Sequence, residues 1–214
     1  MDPMKIIILG GFLGSGKTTV LMQFGKYLIR RAGTEDKTST DTPVVILENE
    51  ISEAGVDNQL LSSANFTVQN IFAGCICCTS TASLCESVKQ IENTWNPEFL
   101  LIEATGMAYP DNIRDVLREE AGKQASILAL ADAKRWKRVV RAMPQFVISQ
   151  LKDADVILVN KKDLVSPEEM ETVQKEVAGY HPGAEVIPVC AVEGHTDAFW
   201  EKVLQALRFE QTEL

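Results

Sequence analysis

The chain has 214 residues, 45% of them hydrophobic and 24% charged, enough for one α/β domain with a sizeable core. Its formal net charge of −9 opposes non-specific nucleic-acid binding, and no apolar run is long enough to span a bilayer. The run Ile6–Leu9 is too short for a signal peptide, so nothing directs the chain out of the cytosol, and there five cysteines point to metal or redox chemistry before disulfides.

Strand and helix signals alternate, which predicts a parallel sheet with crossover helices. The first apolar run leads into Gly11-Phe12-Leu13-Gly14-Ser15-Gly16-Lys17-Thr18-Thr19, and a helical pattern follows from Thr18 to about Arg31. This is G-x-x-x-x-G-K-[ST], the phosphate-binding loop, in its proper strand–helix context. Gly14 and Gly16 let the backbone turn its N–H groups toward phosphate oxygens. Lys17 would reach the β- and γ-phosphates, and the Thr18 hydroxyl would hold Mg²⁺.

After a polar stretch at residues 33–42, a second strand at 43–47 ends in Glu48-Asn49-Glu50-Ile51-Ser52-Glu53-Ala54-Gly55-Val56-Asp57. In an open α/β sheet, ligands bind beyond the carboxyl ends of strands. These acids either hold a metal or position a water there, or form a solvated loop. A third strand at about 66–72 runs into Cys75-Ile76-Cys77-Cys78. Three thiols in four residues suit Zn²⁺, Co²⁺ or Cu(I); a redox dithiol or packed cysteines are the alternatives. Cys85, on a helix predicted over 80–94, lies too far along it to be a ready fourth ligand.

A fourth strand, Phe99–Ile102, ends in Glu103-Ala104-Thr105-Gly106. An apolar strand ending in an acid is the form of a Walker B element, its carboxylate on Mg²⁺ directly or through water, and Gly106 would let the backbone approach a γ-phosphate. Next come a helix around 111–120 and a strand at 126–130 that ends at Asp132. Residues 134–143 read as one amphipathic helix, with Lys134, Lys137, Arg138 and Arg141 on one face and Trp136, Val139, Val140 and Met143 on the other. The basic face is either solvated or docks an acidic partner.

The strand Asp155–Val159 ends in Asn160-Lys161-Lys162-Asp163, which is N-K-x-D, the guanine-reading pattern. Asp163 would accept two hydrogen bonds from the guanine edge, Asn160 would support the loop, and the Lys161 stem would cover the base. Adenine lacks that donor pair, so GTP is favoured over ATP. Ser166-Pro167 opens a further helix. A last strand at about 184–189 ends in Cys190-Ala191, where folds of this kind place a small loop beside the base. Thr196 to about Arg208 closes the chain as a helix.

Taken together, the segments 10–19, 48–57, Gly74–Cys78, Glu103–Pro110 and Asn160–Asp163 resemble the CobW-like GTPases, metallochaperones related to the nickel-delivering GTPases of hydrogenase and urease maturation. The resemblance covers nearly the whole chain and keeps the family's motif order. It implies a P-loop NTPase α/β fold, a mostly parallel central sheet between helical layers. It also implies GTP/GDP and Mg²⁺ binding, with Zn²⁺ or Co²⁺ held by Cys75, Cys77 and Cys78. By position, Gly14, Ser15, Gly16, Lys17, Thr18 and Thr19 are the implied phosphate cradle, Glu50 falls in the family's switch segment, Glu103 is its Walker B acid, and Lys17, Glu50 and Glu103 are the implied catalytic residues. The family's switch segment carries Phe-Gly where this chain has Ile51-Ser52.

The expectation is one GTPase domain over residues 1–214, without the second domain into which family members generally continue. Hydrolysis is expected to be slow alone, because no arginine stands out as a finger in cis. A client protein would receive the metal; a corrinoid-dependent enzyme as client, and a homodimer formed around the nucleotide, are both compatible with the sequence. Neither a nucleic acid nor a membrane is expected as partner. A P-loop small-molecule or nucleotide kinase is the rival reading, but it leaves the cysteines and Asn160–Asp163 unexplained. A metal-binding protein that uses GTP as a switch ligand without turnover is the other.

Overall fold

The computed structural model describes residues 3–33, 42–48, 67–70 and 81–209. Its strands are β1 (Lys5–Gly11), β2 (Val44–Glu48), β3 (Thr67–Asn70), β4 (Phe99–Glu103), β5 (Ala125–Asp132), β6 (Val156–Asn160) and β7 (Glu185–Pro188). They form one sheet in the order β3-β2-β4-β1-β5-β6-β7, and every neighbouring pair is parallel. The helices are α1 (Lys17–Arg31), α2 (Thr81–Trp95), α3 (Pro110–Ala121), α4 (Trp136–Ala142), α5 (Pro144–Leu151), α6 (Pro167–Tyr180) and α7 (Asp197–Ala206).

The strands read as continuous apolar runs because both faces of the sheet are covered. Side chains alternate between the faces. Ile6 and Ile8 of β1 join one core with Val88 of α2, Leu117 of α3, Val147 of α5 and Val173 of α6. Ile7 and Leu9 join another core with Phe24 of α1 and Trp200 of α7. The result is three layers, helices on both sides of the sheet.

The order of strands fixes where a ligand can sit. From β1 the chain crosses toward β2, and from β4 it crosses over β1 toward β5. The sheet therefore reverses its winding between β1 and β4, and a crevice opens at their carboxyl ends. The loops after β1, β4, β5, β6 and β7 all emerge on that edge.

The sequence reading of one helix over 134–143 needs correction. Met143, with φ −143° and ψ 58°, ends α4, and Pro144 starts a second helix, α5, which periodicity alone did not separate. Met143 lies exposed at the break instead of packing with Trp136. Buried Gln150 of α5 accepts from the Gly11 N–H at 2.8 Å and donates to the Ala108 carbonyl, tying β1 to the loop after β4.

The helix that leaves the phosphate loop, α1, is fastened to α7. Phe24 stacks on Trp200 with ring centroids 5.3 Å apart, and the Tyr27 hydroxyl donates to the Glu201 carboxylate. Burial, then Glu201, pushes the Tyr27 pKa from 10.0 up to about 12. Below pH 10 folded and unfolded chains both keep this proton; between pH 10 and about 12 only the unfolded chain loses it, so stability falls across that window. Tyr27→Phe removes this part of the loss. Urea unfolding on either side of pH 10 is expected to show a smaller alkaline drop for Tyr27→Phe than for the parent chain.

Candidate functional site

The turn from β1 into α1 is held in conformations that glycine favours. Gly11, Gly14 and Gly16 have φ of 136°, 69° and 102°. A side chain at Gly16 would also collide with Asn160 Nδ2. The Ser15 N–H closes the turn on the Phe12 carbonyl at 3.0 Å. Gly106 comes so close to the loop tip that a Cβ there would lie 2.6 Å from the Leu13 nitrogen. Its small size thus serves the packing of the β4 loop against the phosphate loop, whereas the sequence suggested an approach to phosphate.

The Lys17 ammonium donates to the Gly11 carbonyl at 3.1 Å and to the Phe12 carbonyl at 3.4 Å. Although Lys17 is buried, it lines the same cavity as Thr18 and Thr19. The Thr18 hydroxyl donates to Glu103 Oε1 at 3.0 Å, so the two residues the sequence assigns to Mg²⁺ stand side by side. Both offer hard oxygen ligands, which fits Mg²⁺ in donor type.

Across the cavity stands the loop after β6. Asn160 is buried and spans three segments. Its amide donates to the Ser15 carbonyl at 2.8 Å, and its carbonyl accepts from the Lys161 and Ala191 N–H groups at 2.7 and 2.8 Å. Lys161 adopts a left-handed φ of 69°, unusual for a residue with a side chain. Its ammonium reaches the Gly14 carbonyl at 2.9 Å and Asp132 Oδ2 at 2.7 Å. The head of Lys161 is thus anchored on the phosphate loop, while its stem borders the cavity.

Asp163 is exposed at the far end of the cavity. The Cys190 thiol donates to its Oδ1 at 3.1 Å. Burial, then this contact, raises the Cys190 pKa, which keeps the thiol protonated and able to donate at neutral pH. Cys190 was expected to pack beside the base; it is wholly buried and orients the carboxylate, while Ala191 lines the cavity.

One cavity of about 420 Å³ thus runs from Leu13, Gly14 and Gly16 past Lys17, Thr18 and Glu103 to Asn160, Lys161, Asp163 and Ala191. Its volume falls within the range of small-molecule and cofactor pockets. Glu50, Cys75, Cys77 and Cys78 lie outside the described residues. Among the described residues no three His, Cys, Asp or Glu side chains gather to hold a metal, and Cys85 and Cys190 are buried free thiols. No helix among the described residues is long and apolar enough to cross a membrane.

Sequence reasoning missed three supports of this site: Gln150, Asp132 and Arg135. Arg135 donates to the Leu13 carbonyl at 2.7 Å and to Asp132 Oδ2 at 2.6 Å. The only signals were an acid at a strand end and a cation three residues on, and neither forms a motif.

The model of the CobW/HypB/UreG nucleotide-binding domain matches residues 5–188. The chain belongs to this family. The zinc chaperone YjiA of Escherichia coli is 31% identical over 201 residues, covering 88% of this chain and 58% of that protein. The zinc chaperone YeiR of the same organism is 28% identical over 172 residues, covering 78% of this chain and 49% of that protein. The chain therefore spans about half the length of these relatives. The hydrogenase maturation factor HypB of Archaeoglobus fulgidus superposes with a TM-score of 0.66 at 18% identity, covering 94% of this chain and 89% of that one. That likeness is one of fold, the P-loop GTPase α/β architecture. The family match runs from β1 to the end of β7 and takes in the cavity residues from Leu13 to Leu164.

Asn160→Ala tests how the two halves of the cavity are joined. It leaves the Ser15 carbonyl and two N–H groups without their partner and should lower stability by about 2–3 kcal/mol, as expected when buried polar groups lose hydrogen bonds. Thermal and urea unfolding of the nucleotide-free chain measure the loss.

Proposed function

We propose that this chain is a GTP-binding, GTP-hydrolysing metallochaperone domain that binds Zn²⁺ or Co²⁺ at Cys75, Cys77 and Cys78 and couples its transfer to the nucleotide state. The observation that carries the nucleotide half is the single cavity lined at one end by Gly14–Thr19 and at the other by Asn160–Asp163. Phosphates would lie on the N–H groups of the loop and the α1 N-terminus, with Lys17 leaving its carbonyl partners for the β- and γ-phosphates. Thr18 and Glu103 would hold Mg²⁺, which neutralises charge as the γ-phosphoryl departs. Asp163, oriented by Cys190, would accept from guanine N1–H and its exocyclic amine, and Glu50 belongs to the switch that answers the γ-phosphate.

Support for the metal half comes from the chain's course. β3 ends at Asn70, so Cys75 is five residues, at most about 18 Å of extended chain, from the carboxyl edge of the sheet. Glu48 ends β2 on that same edge. Thiolates and acids would then lie within reach of the phosphates, and γ-phosphate ordering of the switch would act on the metal site over a short path. The relatives named zinc chaperones favour Zn²⁺. The domain would work in the cytosol, handing metal to a client protein, with slow turnover unless the client or a second copy of the chain completes the site.

Two experiments divide the proposal. Asp163→Asn presents an amide N–H to the base edge, so affinity for GTP should fall by about tenfold or more while affinity for xanthosine triphosphate rises, as expected from an unpaired buried donor. Unchanged guanine preference would remove Asp163 from base reading. Replacing Cys75, Cys77 and Cys78 together with serine should abolish stoichiometric Zn²⁺ binding and leave GTP affinity within about twofold, since separate sites act additively. Measured phosphate release separates this reading from a GTP switch without turnover, and phosphate transfer to a small acceptor would favour the kinase reading.

A further inference from the structure

The phosphate loop is held from outside as well as from within. Asp132, at the end of β5, is buried, with only 4% of its side chain exposed. Its Oδ2 accepts from Arg135 Nε at 2.6 Å and from Lys161 Nζ at 2.7 Å, and its Oδ1 accepts from the Arg135 N–H at 3.1 Å. Each cation then reaches one carbonyl of the phosphate loop. Arg135 Nη2 donates to the Leu13 carbonyl at 2.7 Å, and Lys161 Nζ donates to the Gly14 carbonyl at 2.9 Å. Two consecutive peptide groups are thus pulled to one side by one buried carboxylate acting through two cations.

The direction matters. In a trans peptide the C=O and the following N–H point opposite ways, and no cis peptide occurs among the described residues. Drawing the Leu13 carbonyl onto Arg135 turns the Gly14 N–H away from Arg135. Gly14 is also where the loop needs a left-handed φ of 69°, and a Cβ there would lie 3.4 Å from Arg135 Nη2. A short loop with three positive-φ glycines has little conformational preference of its own. Charge-assisted bonds from a rigid strand end supply it.

We propose that Asp132 and Arg135 are positioning residues for phosphate recognition: they fix the Leu13–Gly14 peptide so that its N–H faces the anion. Neither residue lines the cavity. They act through the loop backbone, and Lys161 links them to the guanine-reading segment. The inference rests on the nucleotide-binding reading of the cavity, and it extends the phosphate site to a strand end and helix start that carry no nucleotide motif.

The test is the ratio of GDP to guanosine affinity, by calorimetry or by displacement of a fluorescent GDP, for the parent chain, Arg135→Ala and Asp132→Asn. Guanosine keeps the base contacts and lacks the phosphates. Arg135→Ala is expected to weaken GDP binding by about tenfold, one charge-assisted hydrogen bond's worth, and to leave guanosine affinity within about twofold. Asp132→Asn, which releases both cations, should cost more in the same ratio. The partly exposed Arg135 side chain makes its variant the safer one for folding, and the melting point of the nucleotide-free variant checks this. An unchanged ratio in Arg135→Ala, or equal losses for GDP and guanosine, would overturn the proposal. Failure of the parent chain to bind GDP would instead overturn the nucleotide reading itself, so the two failures are distinct.

Discussion

Everything at the functional edge depends on how the backbone between β1 and α1 is bent and kept bent. Three glycines with positive φ make the bend possible, but they cannot by themselves hold it. The neighbours do. Gly106, after β4, packs against the Leu13 backbone, Arg135, after β5, takes the Leu13 carbonyl, and Lys161 and Asn160, around the end of β6, take the Gly14 and Ser15 carbonyls. Gln150 fixes the Gly11 N–H at the loop's start. Because the described strands all run parallel, each of these elements lies at the same edge and can reach the stretch from Gly11 to Ser15. Topology thus supplies the preorganisation that an anion site needs.

The same arrangement would join the proposed recognition of base and phosphate. Asn160 bonds the phosphate loop, its own neighbour Lys161 and the Ala191 loop at once. Lys161, strained into a left-handed conformation, bridges Asp132 and Gly14. A guanine base drawn toward Asp163 would therefore meet a segment already bonded to the loop that holds its phosphates. Cys190 contributes a thiol held protonated by burial, which donates where an ionised thiol would repel the Asp163 carboxylate.

Much of this was legible from the sequence, for physical reasons. Strands covered on both faces must be apolar throughout, so the runs at 5–9, 99–102 and 155–159 announce themselves, and motifs whose residues are close in sequence, such as Gly11–Thr18 and Asn160–Asp163, carry their chemistry locally. What escaped was non-local. Arg135 and Gln150 matter because the fold brings them phosphate-loop groups from more than a hundred residues away, and Asp132 matters because it holds Arg135 and Lys161. The helix Pro144–Leu151 was hidden because its buried face carries Gln150, which breaks the apolar pattern, and because Met143 runs straight into it. The small Gly106 was read as making room for a ligand; it makes room for backbone.

In the proposed function the nucleotide state and metal binding by the thiols are coupled. The most direct measurement is a competitive Zn²⁺ titration of the chain loaded with GDP or with a non-hydrolysable GTP analogue. The account predicts affinities that differ by about tenfold or more between the two states, about 1.4 kcal/mol of coupling. Equal affinities in the two states would contradict it and leave a guanine-nucleotide-binding domain whose thiols answer to something else.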